Sequence, residues 1–102
     1  MRTRAKGNTF EREIATALEA TGAAVRGLEA GGDLLVVSPS GSVLHVECKR
    51  QERLRLPEWL AQQERDCPPG ARRMLAFRQS GGTAYAVVPL AQFVADEAGG
   101  AA

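Results

Sequence analysis

Two apolar runs joined by a tight turn constrain this chain most. Asp33-Leu34-Leu35-Val36-Val37 is β-branched at its end, and Ser42 to Lys49 follows it after Ser38-Pro39-Ser40-Gly41. Short apolar stretches bounded by serine, proline and glycine read as strands, and so brief a connection makes them pair antiparallel. Antiparallel pairing sets the start of the first strand beside the end of the second, which brings Asp33 near Glu47 and Lys49. Alternate side chains of a strand share a face. Glu47 and Lys49 therefore project together, while Val46 and Cys48 point to the other side.

Around this hairpin the remaining elements follow from periodicity and punctuation. Phe10, Ile14, Ala17 and Leu18 recur at helical spacing and predict a helix from Thr9 to Ala20, capped by Asn8 or Thr9 and closed by Thr21-Gly22. Glu11 and Glu13 would then sit in the first turn, where the helix dipole favours acids. A short apolar segment, Ala23-Ala24-Val25, leads through a Gly31-Gly32 turn into the hairpin. Beyond a basic linker, Pro57 suits the first turn of a second helix that carries Trp59, Leu60 and Gln63 and stops at Pro68-Pro69-Gly70. Arg73 to Phe77 and Thr83 to Val88 read as further strands, and Pro89 to Val94 as a short helix. The order predicts an α/β domain with a mixed central sheet of about five strands.

A chain of 102 residues supports one core, here residues 1–97, with a frayed tail over 98–102. The 44% hydrophobic and 25% charged content is that of an ordinary globular chain, and no apolar run approaches the length of a membrane helix. No apolar segment follows Arg2, Arg4 and Lys6, so no secretory signal is read there, and a cytoplasmic protein is expected. Cys48 and Cys67 are too few for a disulfide framework, and there is no C-x-x-C pair to hold zinc. Cys48, alternating with Val46 and Leu44, reads as a small core residue.

The net charge of +1 does not announce nucleic acid, but its distribution is uneven. Basic residues gather at Arg2, Arg4, Lys6 and Arg12, at Lys49, Arg50, Arg53 and Arg55, and at Arg72, Arg73 and Arg78. Guanidinium groups bind phosphate in a forked geometry, so Arg50, Arg53 and Arg55 are candidate phosphate contacts; a solvated linker is the alternative. Asp33 and Glu47 are the oxygen donors that a hard divalent cation takes, and Lys49 offers a fixed positive charge near a scissile phosphate. His45 and Gln51 continue the same strand face: a lone histidine is more often structural, though this one could approach a metal or phosphate, and Gln51 could orient water. Trp59 reads as a core or interface anchor.

Glu11 on a first helix, Asp33 at a strand start and Glu47-x-Lys49 on its partner strand resemble, in that order and context, the PD-(D/E)XK nuclease superfamily. The opening Lys6-Gly7-Asn8-Thr9-Phe10-Glu11-Arg12-Glu13-Ile14 resembles the start of archaeal-type Holliday junction resolvases and their phage relatives. This resemblance implies a restriction-endonuclease-like fold and a structure-selective DNA endonuclease, acting as a homodimer on four-way junctions. It implies a magnesium or manganese ion held by Asp33, Glu47 and the carbonyl of Cys48, with Glu11 completing the site and Lys49 stabilising charge. Arg2, Arg4, Lys6, Arg50, Gln51, Arg53 and Arg55 are the candidate DNA contacts. Here Gly32, not proline, precedes Asp33, and helical geometry alone does not choose between Glu11 and Glu13.

Overall fold

The computed structural model describes residues 5–28 and 33–100, and the side chains of these apart from 5–8, 99 and 100. The Gly31-Gly32 turn, Arg2, Arg4 and residues 101–102 lie outside the described residues.

Helix α1 spans Ala5–Glu19 and so begins before the expected Thr9. The apolar stripe that starts at Phe10 marks where burial begins; the helix itself extends back through Ala5 and Lys6, both good helix formers. Asn8 and Thr9 therefore lie inside the helix instead of capping it. No acidic residue falls in the first turn, so the helix dipole accounts for neither Glu11 nor Glu13. At the other end the chain turns as expected: the N–H of Gly22 donates to the carbonyl of Glu19 at 2.9 Å, and Gly22 takes φ of 94°. That left-handed conformation favours glycine.

Five strands follow: β1 (Ala24–Gly27), β2 (Asp33–Val37), β3 (Val43–Arg50), β4 (Arg72–Arg78) and β5 (Tyr85–Val87). They form one sheet in that spatial order. β1, β2 and β3 are antiparallel neighbours, β4 runs parallel to β3, and β5 returns antiparallel to β4. The β2–β3 turn is the predicted one, closed by bonds from the Ser38 N–H to the Ser42 carbonyl and from the Gly41 N–H to the Ser38 carbonyl, at 2.9 and 2.8 Å. A parallel neighbour needs a crossover, and helix α2 (Leu56–Asp66) supplies it, with Pro57 in its first turn. Cys67 turns extended after its last residue, ahead of Pro68-Pro69-Gly70.

The sheet separates two kinds of interior. On one face α1 covers a core of Phe10, Leu34, Val36, Leu44, Val46, Cys48 and Ala76. On the other lies α2, whose buried Trp59 packs near Phe77 of β4 with ring centroids 6.2 Å apart. Trp59 is thus a core residue.

Helix α3 (Leu90–Ala95) is fastened to β4 by Gln92, which accepts from the Arg73 N–H at 2.8 Å and donates to the Arg73 carbonyl at 2.9 Å. A π-helical turn occupies Asp96–Gly100, its first residue 3.6 Å from the Arg72 guanidinium.

Candidate active site

Register places Asp33 directly opposite Glu47, and Leu35 opposite His45. Asp33, His45 and Glu47 share the sheet face turned to α2, where they are 3%, 0% and 1% exposed. One ligand atom from each lies within 4.8 Å of the others. Lys49, two residues on, sets its Nζ 3.2 Å from Oε2 of Glu47. The hairpin thus assembles Asp33, Glu47 and Lys49 as the sequence predicts, and it adds His45.

Helix α2 contributes residues to which the sequence alone assigns no part in the site. Trp59, Gln62, Gln63 and Asp66 follow one another at i, i+3, i+4 and i+7, the spacing of a single helix face. Lys49 Nζ donates to Gln62 Oε1 at 3.3 Å, and the Gln63 amide nitrogen lies 3.1 Å from Nδ1 of His45. The charge of Asp66 acts on both Asp33 and His45. Polar side chains at stripe positions beside a buried tryptophan are the available signal for these residues.

So many acids in a dry place change their protonation. Burial raises the Asp33 pKa from 3.8 to about 8, helped by the facing Glu47 carboxylate and by the charge of Asp66; the weaker pull of Lys49 opposes this. Burial lowers the His45 pKa, against the charges of Glu47 and Asp66, so the imidazole is neutral near pH 7. On the opposite face burial pushes the Cys48 thiol up to about 12, with smaller contributions from Glu11, Asp33 and Glu47. Cys48 is an inert core thiol, as its alternation with Val46 suggests.

The two helix glutamates part company. Glu13 carries an exposed ion pair with Arg78 at 2.7 Å. Half-buried Glu11 lines a shallow hollow of about 220 Å³ with Arg12, Ala15 and Leu34, beside the start of β2. Glu11 stands outside the Asp33–His45–Glu47 group, on the α1 side of the sheet.

The basic residues divide in the same way. Arg72, Arg73 and Arg78 are paired with Asp96, Glu64 and Glu13. No ion pair among the described residues involves Arg50, Arg53 or Arg55. Arg53 and Arg55 are exposed on a linker that Glu52 fastens to the β4–β5 turn: its carbonyl accepts from Gln79 at 2.7 Å and its carboxylate from the Ser80 N–H at 3.2 Å. Gln51 is exposed just beyond β3, where strand alternation no longer sets its direction. Lys6 lies in α1 with its side chain outside the described part, and Arg2 and Arg4 precede it.

Whether a divalent cation fits is tested by the donors themselves. Oε1 of Glu47 is buried with no hydrogen-bond partner, an unfavourable state that a cation would relieve. Paired carboxylates supply the hard oxygen donors such an ion takes, so the residues present fit one.

The sequence model of the archaeal Holliday junction resolvase (Hjc) family matches residues 2–62, more than half of the chain. No curated protein matches the sequence. The solved structure of Archaeoglobus fulgidus Hjc, a Holliday junction resolvase from an archaeal hyperthermophile, superposes with a TM-score of 0.58 at 21% identity. The alignment covers 81% of this chain and 72% of that one, which shows a shared restriction-endonuclease-like fold. With buried Asp33 and Glu47 beside Lys49 on that fold and the family match over residues 2–62, the chain belongs to the archaeal Holliday junction resolvase family of the PD-(D/E)XK superfamily.

Proposed function

We propose that this protein is a metal-dependent, structure-selective DNA endonuclease that hydrolyses phosphodiester bonds at four-way junctions. The observation that carries the reading is the juxtaposition of Asp33, Glu47 and Lys49 with the unpartnered Oε1 of Glu47, in a member of the resolvase family. Asp33 and Glu47 would hold magnesium or manganese, with the Cys48 carbonyl as a further oxygen and Glu11, outside that group, reaching the ion only through water. A bound ion of this kind supplies Lewis acidity and lowers the pKa of its water, so no separate strong base is needed at neutral pH.

The chain's own groups do the rest. Lys49, held between Glu47 and Gln62, keeps an ammonium where negative charge builds on the phosphate. Arg50, Arg53 and Arg55, free of acidic partners among the described residues, are offered to the DNA backbone, with Gln51 and the N-terminal Arg2, Arg4 and Lys6 alongside. Paired incision of opposed strands needs two equivalent sites, which a homodimer supplies. Among the described residues no helix is long and apolar enough to cross a membrane.

A gel assay tests this directly. Magnesium-dependent cleavage of a four-way junction should exceed that of a linear duplex of the same sequence; preference for the duplex would assign a repair or restriction-type substrate instead. No cleavage of either would leave a nucleic-acid-binding module of the same fold.

A further inference from the structure

Gln63 faces the sheet from α2 beside Trp59, where an apolar side chain would ordinarily fill the gap. Gln63 and His45 are 2% and 0% exposed. The Gln63 amide nitrogen lies 3.1 Å from the carbonyl oxygen of His45 and 3.0 Å from that of Met74. Carbonyl oxygens only accept, so the nitrogen end of the amide is turned toward them and the orientation of the amide is fixed. The same nitrogen stands 3.1 Å from Nδ1 of His45. An amide nitrogen accepts no hydrogen bond, so Nδ1 carries no hydrogen, and the neutral imidazole bears it on Nε2. Nε2 in turn lies 3.1 Å from Oδ2 of Asp33. A ring nitrogen that carries a hydrogen has no lone pair for a cation.

We infer that His45 is a positioning residue and not a metal ligand: it donates Nε2–H to the Asp33 carboxyl, while Gln63, clamped by two strand carbonyls, sets the tautomer. The proximity of His45, Asp33 and Glu47 then divides by role, two carboxylates for the cation and one imidazole behind them. In many metal sites a carboxylate orients a histidine ligand; here the histidine orients the carboxylate. With Oδ2 held by the ring, Asp33 meets its ion in one orientation, at no cost in side-chain ordering when the ion arrives. The inference rests on the reading of Asp33 as a metal-binding residue.

His45 is the only histidine of the chain, so a long-range proton–nitrogen spectrum of the whole protein contains one imidazole pattern. The expected pattern is the neutral Nε2–H tautomer, both without metal and with saturating magnesium. An Nδ1–H tautomer, or loss of the Nε2 hydrogen when magnesium is added, would overturn the inference whatever the cleavage assay shows. Calorimetric titration with manganese supplies the second arm. His45→Leu should weaken binding by about tenfold or more, whereas His45→Gln, which restores an N–H donor, should stay within about threefold of the unsubstituted chain. Equal affinities in all three proteins would remove the positioning role. An unsubstituted chain that shows the Nε2–H tautomer but binds no manganese would support the hydrogen-bonded strut and sink the metal-site reading.

Discussion

The two sides of β3 differ in chemistry but hardly in exposure. Leu44, Val46 and Cys48 look toward α1; His45 and Glu47 look toward α2 and are buried as deeply, with Lys49 beside them. The α1 side is an apolar core that needs no pairing. On the α2 side every polar group must find another, because a buried carboxylate or imidazole is unfavourable unless hydrogen-bonded. Lys49 meets Glu47 and Gln62, His45 meets Asp33 and Gln63, and one oxygen of Glu47 still has no partner. Apolar side chains on that face would pack without these demands. Polarity retained there, on one strand with an ordinary core behind it, is what the proposed metal site would use.

Substitutions that separate the two faces would break or sharpen this contrast. The largest effect belongs to the polar face: Asp33→Asn or Glu47→Gln should lower magnesium-dependent junction cleavage by at least about a thousandfold, a loss of some ~4 kcal/mol of transition-state stabilisation. Junction binding in calcium, followed by gel shift, should survive. Retained cleavage by either variant would remove that residue from the site.

Phe10→Ala on the apolar face should do the reverse. It opens a cavity under α1 and should lower unfolding stability by about 3 to 5 kcal/mol in urea melts, while the folded fraction still cleaves. Loss of cleavage at full occupancy of the native state would mean that the two faces are not separable.

A smaller effect follows from the raised pKa of Asp33. Between pH 3.8 and about 8 the folded, metal-free protein holds a proton that the unfolded chain has released. Its stability contribution is complete below the lower value and is lost as pH rises through the upper one. Metal-free wild type should therefore lose melting temperature relative to Asp33→Asn between about pH 5 and pH 8, and metal affinity should rise over the same interval. Parallel melting curves in the two proteins would place the proton elsewhere.

The gentlest change is at the linker. Neutralising Arg53 and Arg55 should make the salt dependence of junction binding shallower by about 0.9 in the log–log slope for each phosphate that is no longer neutralised. An unchanged slope would return both residues to solvent. The same substitutions at Arg72 or Arg73 should do less, since these are already paired with Asp96 and Glu64.

The parts of the molecule legible in the sequence are those that follow local rules. The β2–β3 turn, the pairing of Asp33 with Glu47 and the common side of Glu47 and Lys49 depend on neighbouring residues and the two-residue period of a strand. The start of α1 does not follow from its pattern, because the apolar stripe records burial and the first turns of this helix lie ahead of it. Periodicity puts Gln63 on α2 without giving it a role: a glutamine on a helix is usually solvated, and only packing shows that this one is buried against β3. Glu11 and Glu13 are equivalent by helical angle until Arg78, far along the chain, engages Glu13.

By itself the sequence determined the fold class, the carboxylate pair and the lysine beside it, because a hairpin converts nearness in sequence into nearness in space. Tertiary structure alone decided what stands behind that pair. The crossover helix brings Gln62, Gln63 and Asp66 onto a strand from which the chain separates them, and no local periodicity encodes which polar atoms will meet when helix and sheet close. The contacts of His45 with Gln63 and of Lys49 with Gln62 come from that closure.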